Sequence, residues 1–311
     1  MTIQILFSAK PHRWPQYEGP LAHALVKAGI TDFNLACDIE PDQVDYIVMA
    51  PNGPVQDFAP YTRCKAVLNL WAGVEGIIDN PTLTQPLARM VDHGLTRGMI
   101  EWVTAHVLRH HLGMDAHIHG QDGVWRKDIP PLAQERTVTI LGMGELGAAC
   151  ADMLVQLGFD VTGWSRSDKN ITGVRCLHGD DGLAAALGAA EILVLLLPKT
   201  PETENLLNTA RLAQLPKGAV IINPGRGPLI DDDALLEALD TGHIGHATLD
   251  VFRTEPLPRE HPYWAHPSVT VTPHIASETR DDTASQVIAE NIRRSEASDA
   301  LLHLVDPKLG Y

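Results

Sequence analysis

A doubly wound α/β fold in two domains is predicted by three observations. First, Gly142-Met143-Gly144-Glu145-Leu146-Gly147 follows a β-like run, residues 137–141, and opens a helix-like stretch, residues 148–157. Glycines at this spacing let the backbone turn tightly between strand and helix and approach a phosphate group. Second, apolar strand-like runs alternate with helix-like stretches on both sides of this fingerprint, the rhythm of βαβ units and parallel sheets. Third, the last helix-like segment, residues 279–297, lies after the second series of strands is complete. It is expected to return to the first domain.

In chain order, residues 3–7 read as a strand, 19–28 as a helix, and 33–36, 46–50 and 66–70 as strands. From Met99 to Leu112, apolar Ile100, Val103, Val107 and Leu108 recur at helical spacing, which predicts a long helix linking two domains. After a loop-like stretch containing Gly and Pro, residues 113–132, a second series begins with the fingerprint strand and continues through 160–164, 192–197, 220–223, 247–251 and 269–272. The second sheet should therefore have about six strands. The expected architecture is α/β: two doubly wound parallel-sheet domains, a nucleotide-binding Rossmann domain (99–276) inserted into a flavodoxin-like substrate domain (1–98 plus 277–311).

A dinucleotide fold usually places an Asp or Glu at the end of its second strand, where it holds the ribose 2′-hydroxyl of NAD. Here that strand ends in Trp164 and is followed by Ser165-Arg166-Ser167. An Arg between two hydroxyls suits a 2′-phosphate, so NADP(H) is the preferred cofactor and NAD(H) the alternative; Lys169 is a second candidate cation.

Composition narrows the classes. With 311 residues, 44% of them hydrophobic and 20% charged, the chain has the make-up of a globular protein with two cores. Its longest apolar run, residues 192–197, is too short for a membrane span. A formal charge of −15 argues against nucleic acid as a partner and requires any anion site to be locally basic or lined by backbone N–H groups. Cys37, Cys64, Cys150 and Cys176 form no Cys-x-x-Cys pair and read as reduced structural residues. The N-terminus opens on a strand-like run without a signal-peptide pattern, so a cytoplasmic location is expected. His106, His110, His111, His117 and His119 lack supporting carboxylate or thiolate ligands and read as surface histidines, so no metal is expected.

Three titratable groups fall on successive strand ends behind the fingerprint. Arg226 lies in Asn223-Pro224-Gly225-Arg226-Gly227, Glu255 in the segment 250–257 that opens with Asp250, and His274 in Thr272-Pro273-His274-Ile275-Ala276. Ligand-facing loops of a doubly wound sheet leave from these carboxyl ends. A guanidinium there can hold a carboxylate bidentately.

These motifs, in this order and spacing, resemble the D-isomer-specific 2-hydroxyacid dehydrogenase family over essentially the whole chain. Residues 164–167, with Leu197-Pro198-Lys199-Thr200-Pro201-Glu202-Thr203, are most similar to its glyoxylate/hydroxypyruvate reductase A branch, which generally favours NADPH. The resemblance implies that Arg226 binds substrate, that His274 is the acid/base and that Glu255 is its carboxylate partner. It implies a cofactor site formed by Gly142, Met143, Gly144, Glu145, Leu146, Gly147, Trp164, Ser165, Arg166, Ser167, Leu197, Pro198, Asn223, Pro224, Gly225, Asp250, His274 and Ala276. The substrate, a small 2-keto acid in an interdomain cleft, would also meet Ala72 and Gly73. Trp71 stands where the family usually has Gly, either narrowing the pocket or packing at a domain interface; Met49 and Ala50 are further wall candidates. A homodimer is implied, with Trp125 and Arg126 in a loop long enough to reach a partner's site. The alternatives are a family member using NAD or a larger keto acid, and a nucleotide-sensing protein of the same fold.

Overall fold

The computed structural model describes residues 2–306. It contains two compact units, one made of the chain up to Leu95 together with the chain from Thr279 onward, the other of Thr96–Glu278. In the first unit β1 (Ile3–Ser8), β2 (Phe33–Ala36), β3 (Tyr46–Met49), β4 (Ala66–Asn69) and β5 (Leu87–Ala88) pair in the order β2-β1-β3-β4-β5, all parallel. This is the flavodoxin-like order, which reverses direction between β1 and β3. Successive side chains of these strands serve opposite faces. Ile5, Phe7, Tyr46 and Val48 enter one apolar cluster, while Leu6, Ile47 and Met49 enter another.

Helix α1 (Trp14–Lys27) begins five residues before the expected start, and Pro lies both in its first turn and inside it at Pro20. A Pro in the first turn sacrifices no hydrogen bond, whereas Gly19-Pro20 looked like a boundary. Its apolar face, with Leu21, Ala24 and Leu25, outweighs the breaker. The linking helix α2 (His93–His111) likewise starts earlier than its apolar periodicity suggested, and the short α3 (Met114–His119) follows it.

The second unit holds β6 (Thr137–Leu141), α4 (Glu145–Gln156), β7 (Asp160–Ser165), β8 (Val174–His178), α5 (Gly179–Ala189), β9 (Ile192–Leu195), α6 (Thr209–Leu212), β10 (Ala219–Asn223), α7 (Asp232–Asp240), β11 (Ile244–Leu249) and β12 (Val269–Val271). Its strand order, β12-β11-β10-β9-β6-β7-β8, is that of a Rossmann sheet extended by one strand. Seven strands replace the expected six. The additional one, β8, reads Val-Arg-Cys-Leu-His at the sheet edge and never becomes fully buried, so its sequence lacks the apolar run of an interior strand. Helix α8 (Asp281–Glu296) then sends Ala284, Ile288, Ala289 and Ile292 into the core shared with α1.

In β9, Ile192 and Val194 face one core and Leu193 and Leu195 the other, which fixes the strand against rotation and sets where its outgoing loop begins. The same carboxyl edge releases the loops after β6, β7, β10, β11 and β12. No helix among the described residues is long and apolar enough to cross a membrane.

Candidate active site

The fingerprint turn is built for a phosphate. Gly142 sits at φ +106°, and a Cβ on Gly147 would lie 1.8 Å from the Gly142 carbonyl oxygen, so the turn closes only with glycine at both positions. A Cβ on Gly144 would meet nothing within 4 Å, leaving open space in front of the turn. Gly144 is also the N-cap of α4, and no side chain among the described residues caps that helix end. Unpartnered N–H groups and the positive end of the helix dipole therefore face the open space, as a dinucleotide pyrophosphate requires.

Met143, Trp164, Leu197 and Ala276 are buried and Leu146 is half-buried, so these side chains pack into the cores of the second unit. Met143 is buried beneath Gly163, Trp164 donates its indole N–H to the Gly179 carbonyl, and the Trp164 carbonyl accepts from Gly142 N. Ser165 Oγ donates to the Ser167 carbonyl at 2.7 Å, which curls the loop after β7 and presents Arg166 at the surface. Across the site, a hydrogen bond with the Thr200 side chain chiefly holds the Glu202 carboxyl below its ordinary range, and the Arg166 charge adds a smaller pull.

Asn223 and Asp250 form the scaffold of the reacting groups. Asn223 is buried; its Oδ1 accepts from Gly225 N at 3.1 Å and its Nδ2 donates to the Arg226 carbonyl at 3.0 Å, shaping the turn that carries Arg226. Asp250 has no exposed surface, and its carboxylate accepts from Thr272 Oγ1 at 2.5 Å, Ile275 N at 2.9 Å and Ala276 N at 2.8 Å. His274 N donates to the Asp250 carbonyl at 2.8 Å. Between these anchors His274 adopts φ +55°, a left-handed conformation that costs a non-glycine residue about 1 kcal/mol or more. The bonds to Asp250 offset that cost. Both residues, expected as cofactor contacts, thus act first on the protein's own loops.

His274 Nδ1 donates to Glu255 Oε2 at 2.7 Å, and Glu255 Oε1 accepts from Phe252 N at 2.9 Å. With Nδ1 committed, Nε2 is the nitrogen left to exchange a proton. The Glu255 bond raises the His274 pKa against the opposing effect of burial. For Glu255, burial alone would raise the pKa, but the His274 and Phe252 bonds prevail and lower it. The Arg226 cation acts on both, lowering each. All three groups predicted from strand ends are therefore electrostatic neighbours.

In the first unit, the loop after β4 turns on Asn69, which is 1% exposed and donates through Nδ2 to the carbonyls of Trp71 and Gly73, each at 2.9 Å. In trans peptides the N–H opposes the carbonyl, so the N–H groups of Ala72 and Val74 point away from Asn69. Trp71 is 41% exposed. Met49, expected as a wall of the substrate site, is instead a core residue, 1% exposed among Leu6, Ile47 and Phe58. Its place in an interior parallel strand buries both faces, so strand position alone misled.

The histidine expectation also needs correction. His117 and His119 are exposed, but His110 and His246 stack at 4.8 Å, share hydrogen bonds with Thr248 and Thr270, and are pushed down by burial to about 3 and about 4. His111 packs edge-on against Phe159 and is buried, and His106 is half-buried against Trp102. The i, i+4 spacing placed His106 and His110 on one face of α2, from which His110 reaches Thr248 of β11. Thr272 and Phe252, inside the motif segments, and Asn69, beside the loop after β4, were given no role of their own because they carry no titratable group.

A Rossmann sheet with an open glycine turn and an imidazole–carboxylate pair at its carboxyl edge defines a dinucleotide-dependent oxidoreductase. Residues 102–276 match the family model described as D-isomer specific 2-hydroxyacid dehydrogenase, NAD binding domain. The chain belongs to the D-isomer specific 2-hydroxyacid dehydrogenase family. It is 42% identical over 266 residues to glyoxylate/hydroxypyruvate reductase A of Serratia proteamaculans, covering 83% of this chain and 85% of that one. The counterpart in Yersinia enterocolitica is 40% identical over the same shares of both chains. Among solved structures, a D-isomer specific 2-hydroxyacid dehydrogenase from Xanthobacter autotrophicus in complex with NADPH and MES superposes with a TM-score of 0.93 at 40% identity, covering all of both chains. An NADPH-dependent glyoxylate/hydroxypyruvate reductase from Sinorhizobium meliloti in complex with NADP and sulfate gives 0.88 at 34% identity, again over both full lengths.

Proposed function

We propose that this protein is an NADPH-preferring 2-keto acid reductase acting on a small 2-oxo acid such as glyoxylate or hydroxypyruvate. The observation that carries the reading is the 2.7 Å His274–Glu255 hydrogen bond beside the Arg226 charge, on the sheet edge that also presents the open glycine turn. The relatives named as reductases, and those solved with NADPH or NADP, support it.

When bound, the nicotinamide supplies the hydride. Gly142, Gly144 and the N-terminus of α4 would hold the pyrophosphate, and Arg166 and Ser167, on the loop that the Ser165 hydroxyl curls, would receive the 2′-phosphate. Arg226 grips the substrate carboxylate; in the first unit, the N–H groups of Ala72 and Gly73 are the proposed substrate donors. His274, cationic and steadied by Glu255, releases a proton from Nε2 to the oxygen where negative charge develops. Residues 99–276 serve the nucleotide, and 1–98 with 277–311 serve the substrate. Trp71 restricts substrate size, and the protein works in the cytoplasm as a homodimer.

The deciding assay mixes the protein with glyoxylate or hydroxypyruvate and follows nicotinamide absorbance, with NADPH and NADH in parallel. Oxidation of NADPH in strong preference to NADH is expected. Equal use of both overturns the cofactor assignment, and no oxidation of either overturns the substrate class.

A further inference from the structure

Arg253 occupies the middle of the loop that carries Glu255, and its guanidinium bonds to neighbouring segments. Its guanidinium is shared among four partners from two other segments, residues 204–205 and 230–232. Nη2 donates to the Ile230 carbonyl at 2.7 Å and to Asn205 Oδ1, Nη1 lies 3.4 Å from Glu204 Oε1, and Nε lies 3.4 Å from Asp232 Oδ2. Asp232 is the first residue of α7 and also accepts from the Tyr263 hydroxyl at 2.9 Å. A planar fork with fixed donors can hold three segments at once, as a flexible ammonium cannot.

Those segments all bear on the site. Residues 204–205 lie in the loop that leaves β9, residues 227–230 follow Arg226, and Phe252 N is the donor that fixes Glu255 Oε1. Backbone contacts reinforce the junction: Asn205 N donates to the Pro228 carbonyl at 2.8 Å and Leu207 N to the Leu229 carbonyl at 2.9 Å. A Cβ on Gly227 would lie 2.1 Å from the Phe252 carbonyl carbon and 2.5 Å from Arg253 N, so the turn after Arg226 lies directly against the Glu255 loop. Arg253 thus sits where the loop carrying the carboxylate is fastened to the loop carrying the guanidinium.

We propose that Arg253 is a positioning residue: by clamping the 252–255 turn to residues 204–205 and 230–232, it holds the Glu255 carboxylate in register with His274 Nδ1. The proposal rests on the reading of Glu255 and His274 as the acid–base pair. Without the clamp the turn is free to move, and Glu255 Oε2 spends less time bonded to the imidazole.

Electrostatics makes this testable by sign. Deleting a cation removes a charge that disfavours the imidazolium, so a purely electrostatic effect of Arg253→Ala raises the His274 pKa. Loss of positioning weakens the Glu255 bond and lowers it. The measurement is the titration of the His274 imidazole by NMR in the full chain without cofactor, for wild type, Arg253→Ala, Arg253→Lys and Glu255→Gln, each checked by thermal melting.

Arg253→Ala should lower the apparent His274 pKa by roughly half a pH unit or more. Arg253→Lys should recover only part of it. In the Glu255→Gln background the same change should have no downward effect, because the bond it supports is gone. An unchanged or raised pKa in Arg253→Ala, or the same fall when Glu255 is already Gln, overturns the proposal; if Arg253→Ala does not fold, Arg253→Lys carries the same test. The titration needs no turnover. A failed reductase assay and a failed clamp are therefore distinguishable, and loss of turnover in His274→Ala tests the acid–base assignment separately.

Discussion

Glu255 raises the His274 pKa, so the imidazolium persists at a higher pH than an isolated imidazole would allow. With His274 as the proposed proton donor, reduction draws on that cation, and its rate should fall as pH rises through the raised pKa, while oxidation of the hydroxy acid should rise over the same interval. Replacing Glu255 with Gln should shift the reductive limb to lower pH, as a kcat profile would reveal. His274→Ala should cost about 10²–10⁴-fold in kcat, with NADPH affinity by fluorescence titration nearly unchanged; normal turnover would remove His274 from its role. Arg166→Ala should weaken NADPH by about ten- to a thousandfold, since each charge-assisted bond to phosphate is worth roughly 1.5–3 kcal/mol, and leave NADH nearly unaffected. These residues were legible in the sequence because each pairs a titratable group with a strand end. Thr272, Asn69 and Arg253 were not, because their importance lies in which carbonyl or carboxylate they reach across 22 residues or more in some cases and two in others.

At the scale of elements, the junction of β11 and β12 holds the least replaceable part of the site. Three donors from the turn after β12 converge on the Asp250 carboxylate. Asp250→Ala leaves two of them as buried or half-buried backbone N–H groups, each costing about 1–3 kcal/mol when unsatisfied. A drop in melting temperature together with lost activity is expected, and Asp250→Asn, which keeps one acceptor oxygen, should lose less; identical melting of all three proteins would show that the turn holds itself. The β-α alternation made such elements readable in advance, because interior parallel strands are continuous apolar runs. Edge elements lacked that signal: β8 is broken by Arg175 and ends on His178, and β5 is only two residues long. The start of α1 was hidden because Gly19-Pro20 resembles a boundary, whereas the burial of Leu21, Ala24 and Leu25 decides the helix.

For the whole molecule, the two parallel-sheet domains followed from the two βαβ series and the late helix α8, whereas the segment between α2 and β6 was marked only by its length and by Trp125 and Arg126. There Ile118, Val124, Trp125, Ile129 and Leu132 are 54%, 62%, 93%, 79% and 65% exposed. Isolated exposed apolar residues are ordinary, but five within 15 positions make a concentrated patch of the kind that marks an interface. If a second copy covers this segment, association is driven by apolar burial and opposed by repulsion between two chains of charge −15. Salt screens the repulsion and leaves the burial intact. Sedimentation velocity should therefore find a dimer that tightens as ionic strength rises from low to physiological values. Trp125→Ser combined with Ile129→Ser should yield monomers whose melting temperature changes little apart from the loss of mass-action stabilisation. A dimer that survives both substitutions would place the subunit contact elsewhere on the surface, and one that weakens with salt would mean that ion pairs rather than these apolar side chains hold it.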